Sequence, residues 1–496
     1  MLLALPPELI DAILAHIDRV AHLTAFALAS KQCAHHVIPR HTQYRFVRTS
    51  SFSFHVWAHL ALNTGLARNI REVQLYDKYE NPGLDRWPNT SVQPGEFSET
   101  AVDAEARYMH NIRRALVSLD LLTTFVWSMT YNPTKDFKWE FAVLDALVAK
   151  SATLRRLFLA GRFARYTLSI TVDPDSVKYP GWRFINLTTL CLRSAEWVTP
   201  NNAPHLEHLL SRNPDLEHLD IPMEFSRLAN CRFPRLKRLK LTLTAGAPIF
   251  IDRIHIQFLS LHPTIEDLVW YPIGNDMALL PGILPRLKRL STDVPFAQAL
   301  YANPLPDPSL RRSIECLNIR AIPSSFVASL EQTPHDRTSL RKLVVHGLHH
   351  DDKLERIPIL FPNIIHLQFP SSITGHSHYQ RFLFTLEGWL KILSQFQHLE
   401  VFRGAGIWET LRQSPDSTDY CDAIANIARV CPNLRQIDDM KPDDERGGLN
   451  RLVIIREATL EIGGEGESAR MKDRIRCQRQ PPREISVFDI FSGAFE

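Results

Sequence analysis

The chain is poor in the residues that most often announce chemistry or compartment. Its 496 residues include only 7 cysteines, at 33, 191, 231, 316, 421, 431 and 477, and no two stand as Cys-x-x-Cys. An odd, dispersed set argues against a disulfide framework and reads as reduced thiols. No apolar run approaches the roughly 18 residues of a membrane helix, so no membrane partner is expected. The opening Met1–Ala4 meets Pro6 and Pro7 almost at once, which leaves no signal-peptide core. The expected location is therefore cytoplasmic and/or nuclear. A net charge of +3 is small for this length, and a nucleic-acid partner is not expected.

Catalytic and cofactor motifs are missing too. Gly463-Gly464-Glu465-Gly466 has no Lys-Ser/Thr after it, and its acid would repel phosphate. There is no Gly-x-Ser-x-Gly elbow. Among 21 histidines the densest ligand-like cluster is His346, His349, His350, Asp351 and Asp352. A zinc site needs about four converging ligands, and adjacent histidines leaving a strand usually face different ways. No carboxylate pair stands out as acid and base. The chain is expected to be no enzyme, with no cofactor and no metal.

What is present is apolar and patterned. Hydrophobic residues make up 45% and charged residues 22%, the balance of a folded chain. The N-terminal segment LPPELIDAILAHIDRVAHLTAFALASKQCAHHVIP holds Ile10, Ile13, Leu14 and Ile17 at one-face helical spacing. Pro6 and Pro7 suit a helix start, and Glu8 suits the positive end of its dipole. A second apolar run covers Leu23 to Ala29, and a third helical stretch ends at Pro39. Three short helices cannot hide this many apolar side chains among themselves, so the unit is expected to finish its core on something else.

This segment resembles an F-box. The family's Leu-Pro-x-Glu-Leu, its buried Ile/Leu pair and its later Leu, small apolar run and Ser-Lys are matched by Leu5, Pro6, Glu8, Leu9, Ile13, Leu14, Ile17, Leu23, Leu28, Ser30 and Lys31. It departs at Cys33, near where the family often has Trp, and at Asp18-Arg19, where Asp-Pro is usual. The resemblance implies three helices that dock on the Skp-type adaptor of a cullin-RING ubiquitin ligase. It assigns adaptor contact, or the shaping of it, to Leu5, Pro6, Leu9, Ile13, Leu14, Ile17 and Leu23.

Beyond this segment a phrase recurs, Leu-x-x-Leu-x-Leu with apolar replacements. It opens at 154, 187, 216, 236, 265, 287, 314, 340, 364, 399 and 434, a mean step of about 28 residues, with weaker copies at Ile70/Val73/Leu75 and Leu122/Phe125/Trp127. Pro214, Pro234, Pro263, Pro285, Pro362 and Pro432 each stand two residues before an opening position. Leu239, Leu241 and Leu243 alternate with Arg238, Lys240 and Thr242, as a strand with one buried face requires. Helices are expected between the strands, at 204–211, 382–393 and 420–430.

The phrase resembles a leucine-rich repeat. It lacks the Asn or Cys that such repeats often carry eight residues after the first leucine, so irregular curvature is expected. Together the two resemblances point to the large fungal-type F-box family with degenerate leucine-rich repeats. The expected fold is α/β: a three-helix F-box over 1–45, then an irregular solenoid over 46–460 with the parallel sheet inside and helices outside. A polar, mobile insertion is expected near 77–106. Residues 461–496, with Arg470, Lys472, Arg474, Arg476, Arg479 and Arg483, are expected to form a disordered basic tail.

On the expected inner face of the sheet, Arg156, Arg193, Arg238, Lys240, Arg289, Arg320, Lys342 and Arg403 outnumber Asp220, Asp267, Asp293 and Asp438. A basic face of this kind suits an acidic or phosphorylated protein client. The expected function is that of a substrate-recognition subunit of an SCF-type ubiquitin ligase, with Skp-type adaptor and cullin as partners. The alternative is an adaptor-independent repeat scaffold that binds protein or nucleic acid.

Overall fold

The computed structural model describes residues 5–17, 20–38, 41–42, 44–50, 53–76, 110–129, 138–161, 179–222, 228, 231–242, 253–272, 279–303, 312–332, 337–347, 354–369, 385–404, 407, 420–439, 450–461 and 470–480. The expected insertion near 77–106 lies outside them. The chain divides into two compact units, Met1–Ala247 and Pro248–Glu496.

The first unit opens with three helices, α1 (Pro7–Ala15), α2 (Val20–Leu28) and α3 (Lys31–Val37). Proline occupies the first turn of α1 with Glu8 beside it, as expected. Ser30 caps α3 by accepting a hydrogen bond from the Cys33 amide at 3.0 Å. Seven strands follow: β1 (Phe46–Ser50), β2 (Glu72–Tyr76), β3 (Thr124–Met129), β4 (Arg156–Gly161), β5 (Thr189–Arg193), β6 (His218–Pro222) and β7 (Arg238–Thr242). Each pairs in parallel with the next.

In the second unit β8 (Asp267–Trp270), β9 (Arg289–Thr292), β10 (Cys316–Ile319), β11 (Lys342–Val345), β12 (His366–Gln368), β13 (Val401–Arg403) and β14 (Gln436–Asp439) pair in the same way. The unit closes with two long antiparallel strands, β15 (Asn450–Glu461) and β16 (Arg470–Gln480). This corrects the expectation of a disordered tail over 470–480. That tail lacks a run of apolar residues, but strand pairing is satisfied by the backbone and needs only a partner strand.

Each rung contributes one residue to a continuous apolar row. In the first unit Val47, Val73, Phe125, Leu157, Leu190, Leu219 and Leu239 stand in register. In the second the row is Leu268, Leu290, Leu317, Leu343, Leu367, Phe402 and Ile437. Every one of these is at most 1% exposed. A leucine so buried contributes about 1.5–3 kcal/mol over an exposed one. All eleven opening residues from Leu154 to Leu434 are buried as well, including the three isoleucine-for-leucine replacements Ile265, Ile314 and Ile364. The repeat reading of burial therefore holds at every rung. Gly404 sits where the rung opening at 399 would carry its third apolar side chain: φ is +140°, and a Cβ there would lie 2.9 Å from the Phe369 Cβ.

The helices lie between strands in sequence. Three of them correspond to the expected segments: Ala203–Ser211 starts one residue earlier, Leu386–Leu393 starts four residues later, and Tyr420–Val430 coincides. They cover the apolar face: Trp270 on β8 meets Phe296 of helix Val294–Tyr301 edge-on at 5.1 Å, and Phe402 on β13 meets Trp389 at 5.5 Å. All six of the repeated prolines fall in the turn before a strand, where a missing amide costs nothing. The turn asparagine missing from the repeat is replaced once by another device. Asn213 accepts from the Leu187 amide at 2.8 Å and donates to the Phe184 and Leu209 carbonyls, tying two rungs together.

Arginines close several helix ends. Arg312 is 2% exposed and donates to the carbonyls of Ile283, Leu300 and Asn303, with Leu300 in the last turn of Val294–Tyr301. Arg456 donates to the carbonyls of Ala428, Cys431 and Leu434 at the end of Tyr420–Val430. Such carbonyls lack helical partners and carry the negative end of the helix dipole.

Candidate functional site

Two surfaces are candidate sites, and both start from residues singled out in the sequence. On the N-terminal helices the structure divides the apolar residues into two sets. Ile10, Leu14, Leu23, Ala27 and Val37 form a small core, with Ile17, Phe26 and Ala34 against it. Leu5, Leu9 and Ile13 are exposed at 37%, 52% and 40%. Pro6 is exposed too. Of the seven residues expected at an adaptor interface, Leu14, Ile17 and Leu23 are thus structural, and Leu5, Pro6, Leu9 and Ile13 are surface. Leu9 and Ile13 are one helical step of four apart on α1, so they form a row. Leu28 at 81% and Ile38 at 47% are further exposed apolar residues outside that set of seven.

The same helices are fixed to the sheet. Arg45, just before β1, is buried and donates to the Leu14 carbonyl at 2.6 Å and to the Ile17 carbonyl. His41 meets Asp11 at 3.3 Å, and burial is the main cause of its lowered pKa. The polar joint lies at the C-terminal end of α1, whereas Leu5, Pro6 and Leu9 are at its N-terminal end.

The second candidate surface is, in each unit, the sheet face opposite its apolar row. Arg156, Arg193, Arg238 and Lys240 lie on it in the first unit, and Arg289, Lys342 and Arg403 in the second, on alternate strand positions; Arg320 follows the last residue of β10. Four are joined to the four acids counted with them. Arg193 donates to Asp220 at 2.7 and 3.0 Å, and Arg289 to Asp267 at 3.0 Å. Arg320 lies 3.0 Å from Asp293 and 5.7 Å over the Tyr271 ring. Arg403 donates to Asp438 at 2.7 Å, where the carboxylate is fully buried and also accepts from Gln436. Arg156 is exposed, and Arg238, Lys240 and Lys342 are half-buried. The excess of positive charge is real, but half of the bases are already engaged with acids on adjacent rungs.

The middle of this face is also more closed than strand alternation suggests. Val126, Phe158 and Cys191 in the first unit, and Val269, Ser291, Asn318, Val344 and Gln368 in the second, are all buried. Strands about 4.8 Å apart let neighbouring side chains shield one another, and parallel sheets are commonly covered on both faces. His366 stands beside Lys342 on β12; burial first, then the charges of Arg403 and Lys342, push its pKa down to about 3. It is neutral at physiological pH.

The remaining groups are poor candidates for chemistry. Burial raises the Cys191 thiol well above its ordinary value and pushes Cys231 and Cys431 up to about 11, so all three stay protonated. Among the described residues no group of three His, Cys, Asp or Glu is placed to hold a metal ion. His349, His350, Asp351 and Asp352 lie outside them. No helix among the described residues is long and apolar enough to cross a membrane.

A further pattern escaped the sequence reading. The second residue of successive phrases runs Glu217, Lys237 in the first unit and Glu266, Lys288, Glu315, Arg341 in the second. Parallel stacking sets unlike charges side by side, and Lys237–Glu217 and Lys288–Glu266 pair at 2.8 Å each. The alternation of sign was legible and marks which rungs are neighbours. The comparisons add no identity: the chain matches no protein-family model, and no curated protein matches it.

Proposed function

We propose that this chain is a non-catalytic substrate receptor of an SCF-type ubiquitin ligase. In this reading the N-terminal helices hold a Skp-type adaptor and the strand-and-helix units, read as degenerate leucine-rich repeats, hold a protein client. The single observation that carries it is the exposure of Leu5, just before α1, and of Leu9 and Ile13 on α1, whose other face packs in the small core. Burying each such side chain in a partner contributes about 1–2 kcal/mol at half exposure, a gain that solvent does not supply. The Leu-Pro-x-Glu-Leu motif contributes two of these residues, and this ties the exposure to the F-box resemblance. The receptor acts by proximity, raising the effective concentration of client lysines near a ubiquitin-charged enzyme. The client would meet the basic sheet face of one unit, through Arg156, Arg193, Arg238 and Lys240 in the first or Arg289, Arg320, Lys342 and Arg403 in the second.

The test is co-purification of a Skp-type adaptor and cullin with the full chain, beside a Leu5→Ala/Pro6→Ala/Leu9→Asp variant checked for folding. Capture by the native chain and loss in the folded variant support the receptor. No capture by either favours the second reading, an adaptor-independent scaffold in which these helices only cap the sheet. The bonds from Arg45 to the Leu14 and Ile17 carbonyls are the observation on that side.

A further inference from the structure

The second unit carries a groove that runs across its strands, on the face opposite the apolar row. Its floor takes one residue from each of β8 to β12. Val269, Ser291, Asn318, Val344 and Gln368 stand in register there, and each is at most 7% exposed. On β13 and β14 the same row holds the Arg403–Asp438 ion pair, which ends the floor. One wall lies two residues before the floor, with Asp267, Arg289 and Lys342. The other lies two residues after it, where Tyr271, Asp293 and Arg320 meet across rungs. Arg289 and Arg320 have side chains 62% and 59% exposed, whereas their partners Asp267 and Asp293 are at 10% and 15%. The charge that both walls turn outward is therefore positive.

The floor is polar in an unusual way. Buried polar atoms nearly always have hydrogen-bond partners, and each exception calls for an explanation. Among the described residues no donor reaches Asn318 Oδ1 or Gln368 Oε1. His366 lies near Gln368, yet its Nε2 completes no hydrogen bond either. Leaving a buried oxygen unpaired costs free energy that an apolar side chain of the same shape would not. The two amides belong to β10 and β12, two strand spacings or about 9.6 Å apart. A polyproline-II chain has three residues per turn and rises about 3.1 Å per residue, so equivalent amides recur every ~9.3 Å. It makes no internal hydrogen bonds, and those amides are available to a partner. A β-strand repeats about every 6.8 Å and misses this spacing.

We infer that this groove takes an acidic polyproline-II segment of a client, whose backbone amides at every third residue donate to Asn318 and Gln368. The residues between those amides turn toward the walls, where carboxylates meet Arg289 and Arg320. The floor is closed in the unbound chain, so the long wall side chains lean outward to admit the segment. The inference deepens the client half of the proposed function and rests on it. Adaptor capture is measured beside it, so either can fail without the other.

The full chain is titrated into a labelled peptide of repeating Ala-Pro-Glu. Parallel titrations use the same peptide methylated at every Ala and Glu nitrogen, the peptide with Gln for Glu, and a peptide of alternating Thr and Glu. The native chain is expected to bind Ala-Pro-Glu and to bind each of the other three at least about tenfold more weakly. Asn318→Leu/Gln368→Met is expected to lose that binding with a denaturation midpoint unchanged or raised, because it removes unpaired oxygens from a buried row. Equal binding of the methylated peptide overturns the role of the amides, because charge alone then suffices. Equal binding of the Gln peptide overturns the acidic class, and preference for alternating Thr and Glu overturns the polyproline-II geometry. A lowered midpoint in the Leu/Met variant shows that the two amides serve the fold and overturns the inference. So does a native chain that binds none of the peptides.

Discussion

The N-terminal helices and the sheet treat apolar surface in opposite ways. In the sheet, every rung hides its leucines against the rung before and the rung after, and what remains on the other face is polar, charged or closed off. A helix of nine residues has no such neighbours. α1 spends Ile10 and Leu14 on the small core and leaves Leu9 and Ile13 in solvent. Stacking gives a repeat unlimited capacity to bury one face, whereas a three-helix segment exhausts its own interior quickly. The surplus of the helices is therefore the place to look for a partner, and the surplus of the sheet is charge.

The largest effect expected from this contrast is in the apolar row. Leu317 is fully buried between Leu290 and Leu343, with no route to solvent and rigid neighbours on both sides. Leu317→Ala is expected to destabilise the chain by up to about 5 kcal/mol, read as a shift of the denaturation midpoint. A loss comparable to a surface substitution would mean that rungs relax independently and that the row is not a cooperative core.

Next in size is the charged face. Asp438 is fully buried, and Arg403 is the cation that compensates it. Arg403→Ala is expected to cost about 3 kcal/mol, because a buried carboxylate without its partner cannot recover hydration. The exposed Lys237–Glu217 pair is the contrast: Lys237→Ala is expected to cost less than about 0.5 kcal/mol. Equal effects in denaturant titrations of the two variants would show that burial does not set the value of these pairs.

The pH dependence sharpens the same point with a smaller effect. The His366 pKa of about 3 in the folded chain lies below the ordinary 6.5 of the unfolded one. The unfolded chain binds the proton more readily, so this contribution is whole above pH 6.5 and is lost as pH falls from 6.5 toward 3. At pH 5 the loss is up to about 2 kcal/mol, and His366→Gln is expected to flatten that part of the stability curve. His41, His59 and His205 are lowered as well, chiefly by burial, and act in the same direction, so the variant removes one share of the acid sensitivity.

The row of leucines was legible because burial repeats: one residue in three or four, then alternation, at every rung from 154 to 434. The helices after strands were legible from the same period and from proline. The division of the N-terminal apolar residues was not, because Leu9, Ile10, Ile13 and Leu14 differ only in which side of one turn they occupy relative to two other short helices. The ion pairs across rungs needed the register; Arg403 and Asp438 are 35 residues apart in sequence and adjacent in the sheet. The ribbon of β15 and β16 was missed because backbone pairing leaves little trace in composition, and a basic stretch without apolar periodicity reads as solvated chain.

The smallest effect on stability tests the comparison most directly. Leu9 is 52% exposed and Leu14 is fully buried, five residues apart on α1. Leu14→Asp places a carboxylate in the core beside Ile10, Leu23 and Val37, and is expected to unfold the helices. Leu9→Asp removes apolar area that water already touches, and a change within about 0.5 kcal/mol is expected. If the helices dock a Skp-type adaptor, that stable variant loses capture even though its fold is intact. Helicity and denaturation midpoint unchanged, with adaptor capture also unchanged, would mean that the exposed row on α1 has no such partner. Loss of stability in Leu9→Asp would mean instead that this row packs within the chain, and the contrast between the helices and the sheet would fail at its first premise.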